Sequence, residues 1–194
     1  QDAESLNLTN LVAAIVKLLP PRCVLMGWSL GGMLATKIAY QYPERISSLV
    51  TLATNVSFVA GEHWPTAMPA DTFAQFRAGF VENKVLSLKR FMALVAQNDE
   101  REKWVLKGLR ELLKGQTPTE LWLAHLDVLA SIDNRKSFSE LTVPGLHLLG
   151  ECDGLVPNIC AAKMKTLNIK QSLITLPGVG HAPHWSSPAS VVDQ

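Results

Sequence analysis

The residues of this chain that could do chemistry begin with a serine between glycines. Residues 23–32 read CVLMGWSLGG, so Ser29 lies in a G-x-S-x-G pattern. The apolar run before it predicts a short strand, and the amphipathic pattern after it predicts a helix. At such a strand, turn and helix junction, the serine hydroxyl projects at the end of the strand as a nucleophile. The alternative is an ordinary glycine-flanked turn of the dinucleotide-binding type, but G-x-G-x-x-G and an acidic residue about 20 positions on are both missing.

Two further candidates follow later strands. Asp153 comes after the predicted strand GLHLLGE, in the loop DGLVP, and His181 comes after the strand SLITL, in the loop GVGHAP. Because the carboxyl ends of parallel strands meet at one edge of a sheet, we expect both residues near Ser29. His181 would act as general base on Ser29, and Asp153 would orient the imidazole. The chain order serine, aspartate, histidine is one of those used by serine hydrolases.

Each of these candidates also has a structural interpretation. Asp153 precedes a glycine and could be a plain turn residue, and His181 could be a surface histidine. His181 and His184 could suggest a metal pair, but no carboxylate or thiol is spaced to complete the site, so we predict no metal. The backbone N–H of Leu30, at the start of the helix, would be one donor of an oxyanion hole.

Composition excludes several classes of function. The 194 residues are 47% hydrophobic and 18% charged, with a formal net charge of +1. These values are typical of a globular domain and exclude a strongly basic nucleic-acid binder. No apolar run approaches the ~18 residues of a membrane span, and the first residues do not resemble a signal peptide. We therefore expect a cytoplasmic enzyme that acts on neither nucleic acid nor membrane, with Cys23, Cys152 and Cys160 as free thiols.

The order of predicted elements divides the chain into a core and an insertion. Residues 1–55 and 134–194 alternate between strand and helix, which predicts an α/β fold with a parallel sheet and flanking helices. The first helix has Ser5 as its predicted cap. Residues 56–133 interrupt the alternation with three or four helices, marked by Phe73, Phe76 and Phe80 at helical spacing. A helical insertion between two parallel strands predicts a lid over the site.

Basic residues are concentrated in this insertion. Between Arg77 and Lys114 there are nine Lys and Arg residues against five acidic residues, a local charge of +4. Four of them recur at helical spacing and predict a basic stripe: Lys103, Lys107, Arg110 and Lys114. The stripe could be a solvated face, or it could attract an acidic partner.

Four motifs resemble a known family when they are taken together. GWSLGG, EHWP, DGLVP and GHAP resemble the α/β-hydrolase esterases of biotin synthesis, the pimeloyl-acyl carrier protein methyl ester esterases of BioH type. The resemblance implies an α/β-hydrolase fold and cleavage of a carrier-bound methyl ester to release methanol, without a cofactor. It implies carrier-protein contacts at Arg90, Lys103 and Lys107. Trp28, Leu30 and Phe91 would line the acyl channel, although ordinary packing explains Phe91 equally well.

The resemblance also raises an expectation about the extent of the chain. The family fold places several strands and a second oxyanion donor before the serine motif. We therefore expect this chain to be an N-terminally truncated part of a longer enzyme, with an exposed apolar edge on its first strand. Two other functions stay open, an esterase for small free esters and a non-catalytic binding module on a hydrolase scaffold.

Overall fold

The computed structural model describes residues 7–194. The range contains ten α-helices and four strands, and five consecutive helices separate the second strand from the third. In chain order the elements are α1 (Leu8–Leu18), β1 (Cys23–Trp28), α2 (Leu30–Gln41), β2 (Ile46–Leu52), α3 (Ala70–Glu82), α4 (Lys84–Ala96), α5 (Glu102–Leu112), α6 (Glu120–Ser131), α7 (Arg135–Ser139), β3 (Gly145–Gly150), α8 (Cys160–Leu167), β4 (Ser172–Leu176), α9 (Pro183–Ser186) and α10 (Pro188–Val192).

The four strands form one parallel sheet in the order β1-β2-β3-β4. Leu52 at the end of β2 pairs with Trp28 of β1 on one side and with Leu148 of β3 on the other. All four strands therefore end at the same edge of the sheet, as predicted. Among the described residues β1 pairs only with β2, and its side chains Val24 and Met26 are 60% and 58% exposed.

The first two helices pack beside the sheet. Asn7 caps α1, its side chain accepting the N–H of Asn10 at 2.9 Å, whereas the predicted cap Ser5 lies outside the described residues. Helix α2 is buried along most of its length, including Met33 and Ile38. It begins at Leu30, because the backbone directly after the serine already turns into the helix.

Residues 56–133, which we call the insertion, contain helices α3 to α6. The spacing that predicted them is matched by burial, since Phe73, Phe80, Val95, Val105 and Leu109 are all buried. Apart from Phe80, these side chains belong to the same hydrophobic cluster as the core residues of α2 and of the sheet. No helix among residues 7–194 is long and apolar enough to cross a lipid bilayer.

A buried histidine inside β3 makes the stability of the fold depend on pH. His147 contacts the Thr51 hydroxyl through Nδ1 at 2.7 Å and the Gln171 carbonyl oxygen through Nε2 at 3.3 Å. The Gln171 amide donates to the Val143 carbonyl, so its oxygen accepts from His147, and Nδ1 accepts from Thr51. This arrangement fits a neutral imidazole. Burial lowers the pKa of His147 from 6.5 to about 4.

Acid should therefore destabilise the fold through His147. Between pH 6.5 and about 4, His147 is protonated in the unfolded chain but stays neutral in the folded chain. Proton binding therefore stabilises the unfolded state, and the free energy of unfolding decreases as the pH falls through this range. We expect this one group to lower the free energy of unfolding by about 2 kcal/mol between pH 7.5 and pH 5. Urea unfolding at both pH values should show a smaller fall for His147→Asn than for the wild type. Equal falls would contradict the assignment.

Candidate active site

Ser29 occupies the sharp turn between β1 and α2. Its backbone has φ 53° and ψ −120°, a conformation that a residue with a side chain adopts only when its surroundings impose it. The Ser29 N–H donates to the Leu52 carbonyl of β2 at 2.9 Å, and the Ser29 carbonyl accepts from Gly32 and Met33 at 3.0 and 3.1 Å. The sheet and the helix therefore hold the serine from opposite sides.

Close approach of the strand to the helix explains the glycine two residues before Ser29. A Cβ atom at Gly27 would lie 2.3 Å from the carbonyl oxygen of Gly31, a backbone atom that cannot move aside. Glycine is therefore required there for α2 to begin directly after the strand.

Three side chains that the sequence spreads over more than 150 residues meet at the carboxyl edge of the sheet. His181 Nε2 lies 2.9 Å from Ser29 Oγ, and His181 Nδ1 lies 2.8 Å from Asp153 Oδ2. The His181 and Asp153 side chains are only 1% and 0% exposed. The distances allow a proton to pass from the hydroxyl to Nε2 while the carboxylate holds Nδ1–H.

The other oxygen of Asp153 is held by the backbone. Asp153 Oδ1 accepts the N–H groups of Leu155 and Val156 at 2.8 and 2.9 Å. These bonds leave Oδ2 for His181. Nearby, burial and the Asp153 carboxylate raise the pKa of the Cys160 thiol to about 12, so this cysteine is protonated and not nucleophilic at neutral pH.

Trp28 lies against the histidine. Its indole N–H donates to the His181 backbone carbonyl at 2.6 Å, and its ring packs edge-on against His184 at 4.9 Å. Burial and the neighbouring His181 lower the pKa of His184. Between residues 7 and 194 no three His, Cys, Asp or Glu side chains are grouped so that they could hold a metal ion.

The first amide of α2 is available beside the serine. The N–H of Leu30 donates to no acceptor in the described part of the chain. It belongs to the first turn of a helix, where backbone N–H groups attract negative charge. It is free to donate a hydrogen bond to an oxygen atom placed beside Ser29.

An apolar cavity of about 410 Å³ opens at Ser29. The three predicted channel residues Trp28, Leu30 and Phe91 all line it. The sequence did not identify most of its other walls, which come from the insertion and the loops around it: Phe58, Phe76, Phe80, Leu121, Trp122, His125, Leu126, Leu129 and Leu155. The aromatic spacing of α3 was the one available signal for two of these residues.

The three residues predicted to contact a carrier protein are all exposed on the insertion. Arg90 of α4 borders a second depression, and Phe76 lies in the wall of both this depression and the apolar cavity. Lys103 and Lys107 lie on α5, which also exposes Glu102 and Glu111. The predicted basic stripe is shorter than expected, because α5 ends at Leu112 and Lys114 follows the helix.

The family follows from the sequence as well as from this geometry. A family model described as "Alpha/beta hydrolase family" matches residues 2–194. An esterase from Exiguobacterium antarcticum superposes with a TM-score of 0.84 at 18% identity, over 99% of this chain and 73% of that chain. A bromoperoxidase from Bacillus anthracis superposes with a TM-score of 0.79 at 19% identity, over 96% of this chain and 70% of that chain. The chain belongs to the alpha/beta hydrolase family.

Curated relatives of higher sequence identity show which members of this family the chain is similar to. The Biotin biosynthesis bifunctional protein BioHC of Cellvibrio japonicus is 40% identical over 97% of this chain and 38% of that protein. The Pimeloyl-[acyl-carrier protein] methyl ester esterase of Nitrosomonas europaea is 34% identical over 96% of this chain and 75% of that protein. The chain spans 38%, 34% and 36% of the first three relatives, all bifunctional proteins. The predicted fold and the resemblance to this type of esterase are both confirmed.

Replacing the buried carboxylate tests the geometry of the three residues. In Asp153→Asn the Leu155 and Val156 N–H groups still require an oxygen, so the new amide nitrogen faces His181. Nδ1 must then accept a hydrogen bond, which leaves the proton on Nε2 and no base for Ser29. We expect kcat for a short free ester to fall by about 10⁴-fold, with little change in KM. A loss below tenfold would contradict this arrangement.

Proposed function

We propose that this chain carries the active site of a serine carboxylic ester hydrolase, with Ser29, His181 and Asp153 as its catalytic residues. The observation that supports the proposal most strongly is the unbroken line of hydrogen bonds from Ser29 Oγ through His181 to Asp153. A non-catalytic binding module would have no need of it. The buried Asp153 carboxylate, the strained Ser29 backbone and the cavity at the hydroxyl are all costly features that catalysis explains together.

The reaction proceeds in two halves. Ser29 Oγ attacks the ester carbonyl carbon as His181 Nε2 takes its proton, and the Leu30 N–H stabilises the developing oxyanion. The tetrahedral intermediate expels the alcohol, which receives the proton from His181, and an acyl-enzyme on Ser29 remains. Water then attacks the acyl carbon with His181 again as base, and the carboxylic acid leaves with Ser29 restored. No step requires a cofactor.

The walls of the apolar cavity indicate the acyl group. Apart from Ser29 and the two histidines, its lining is aliphatic and aromatic, and about 410 Å³ is ample for an unbranched acyl chain. We propose that Trp28, Leu30 and Phe91 contact this chain. The residues of the insertion close the cavity from above, so we propose that residues 56–133 act as a lid on a core formed by residues 1–55 and 134–194.

The relatives named above suggest a specific ester. Their names assign them to biotin synthesis or to the methyl ester of pimeloyl-acyl carrier protein. We propose that the protein carrying this chain cleaves the same methyl ester and releases methanol. The expectation that it does so in the cytoplasm stays a prediction.

The carrier protein would then be the partner of the insertion. We propose that Arg90, Lys103 and Lys107 contact it. All three side chains are exposed, and Arg90 borders the depression that adjoins the apolar cavity. Because acyl carrier proteins are acidic, cationic residues beside the cavity would increase their rate of encounter and fix their orientation.

Charge reversal on α5 tests whether the substrate is a carrier-bound ester or a small free ester. In Lys103→Glu/Lys107→Glu we expect kcat/KM for the methyl ester of pimeloyl-acyl carrier protein to fall by about 10- to 100-fold at low salt. The value for a short free methyl ester should stay within about twofold, because neither lysine lines the cavity.

The matched control is Lys163→Glu/Lys170→Glu, which makes the same change of charge at exposed positions outside the insertion. This variant should retain wild-type kcat/KM for both substrates. Unchanged carrier kinetics in the α5 variant would leave the esterase proposal standing and favour small free esters as its substrates.

A further inference from the structure

The loop that carries His181 depends on outside support. Residues 177–182, the histidine loop, contain two glycines and follow β4 without a helix of their own. Three of its backbone groups are held by the core. These are the Gly178 N–H on the Glu151 carboxylate at 3.0 Å, the Val179 carbonyl on the Cys152 N–H at 2.9 Å and the His181 carbonyl on the Trp28 indole at 2.6 Å.

The insertion also supports the histidine loop. The α4–α5 turn, residues 97–101, lies against the histidine loop. Asp99 Oδ2 accepts the Gly180 N–H at 2.7 Å, one residue before His181, and the Glu100 N–H donates to the Gly178 carbonyl at 3.0 Å. Asp99 is only 6% exposed, so its carboxylate acts in a site that excludes most water.

The turn is itself well fixed. Asp99 Oδ1 accepts the Arg101 N–H at 2.8 Å, and the Asp99 carbonyl accepts the Glu102 N–H at 2.9 Å as α5 begins. Both carboxylate oxygens of Asp99 are therefore used, one within its own turn and one on the histidine loop. The side chain connects Arg101, the residue before α5, to the residue before His181.

Helix α5 packs on the same region from the other side. Trp104 of α5 meets Trp185 of α9 edge-on, with ring centroids 6.2 Å apart. Arg101 donates to the Ser186 carbonyl at 3.0 Å. A Cβ atom at Gly108 would lie 2.3 Å from the Trp185 ring, so α5 approaches α9 as closely as a glycine allows. The insertion thus contacts the chain on both sides of His181, at Gly180 before it and at Trp185 after it.

We propose that Asp99 is a positioning residue that holds His181 in register with Ser29, so that the insertion supports the catalytic base as well as covering the cavity. The inference rests on the proposed function. Asp99 contacts neither the cavity nor the reacting atoms. Its loss should therefore impair the chemical step and leave substrate binding intact, since displacement of a catalytic group by about 1 Å can cost 10²-fold in rate.

The test measures kcat per active site in Asp99→Asn and Asp99→Ala. The amide in Asp99→Asn offers one oxygen to two N–H donors, and Asp99→Ala offers none. Active sites are titrated with a fluorophosphonate after full reaction, so that unfolded protein does not count. We expect kcat for a short free ester to fall by about 10- to 100-fold with KM within about twofold.

Asp133→Asn is the matched control. Asp133 accepts the N–H of Arg135, two residues later, as Asp99 accepts that of Arg101, but it contacts no part of the histidine loop. Its kcat should equal that of the wild type. A second variant, Gly108→Ala, keeps the Asp99 side chain but pushes α5, and with it the turn that carries Asp99, away from Trp185, so it too should lower kcat at constant KM.

The outcomes are distinct. Wild-type kcat per titrated site in both Asp99 variants would overturn the inference, and so would an equal loss in Asp133→Asn. If neither Asp99 variant folds, as judged by circular dichroism, unchanged kcat in Gly108→Ala overturns it. A wild-type protein that hydrolyses no ester and is not labelled at Ser29 would instead refute the proposed function.

Discussion

The backbone of Ser29 is the constraint on which the rest of the site depends. Its positive φ costs about 1 to 3 kcal/mol and persists because neighbouring elements impose it. The Leu52 carbonyl of β2 holds the N–H, and the first turn of α2 holds the carbonyl. The sheet, α2 and the close contact at Gly27 thus direct one hydroxyl towards the cavity.

The two other residues of the proposed catalytic triad are positioned by contacts between segments far apart in the chain. The parallel sheet brings the ends of β1, β3 and β4 to one edge, and short loops then place Asp153 and His181 beside Ser29. Two backbone N–H groups hold the carboxylate of Asp153. The insertion supplies most walls of the apolar cavity and, through Asp99, a contact to the histidine loop. The same packed insertion therefore serves both the proposed binding of substrate and the proposed catalysis.

Local signals in the sequence predicted the strands, the insertion and the three residues at the sheet edge. Parallel pairing is enough to bring Ser29, Asp153 and His181 together once each is known to follow a strand. The contact of Asp99 with Gly180 was missed because it joins segments 81 residues apart and leaves no periodic pattern. His125 was also passed over, since helical spacing predicts α6 but not which of its faces borders a cavity. The packing of the helices against their neighbours determines both the Asp99 contact and the face of α6 that borders the cavity.

The most direct measurement is covalent labelling of the full-length protein with a fluorophosphonate, with the modified residue identified by mass spectrometry. Such reagents trap a serine whose proton a neighbouring base removes. Our account predicts stoichiometric labelling of Ser29 in the wild type and none in Ser29→Ala. Wild-type protein that is folded but unlabelled, or labelling that survives in Ser29→Ala, would contradict the central claim.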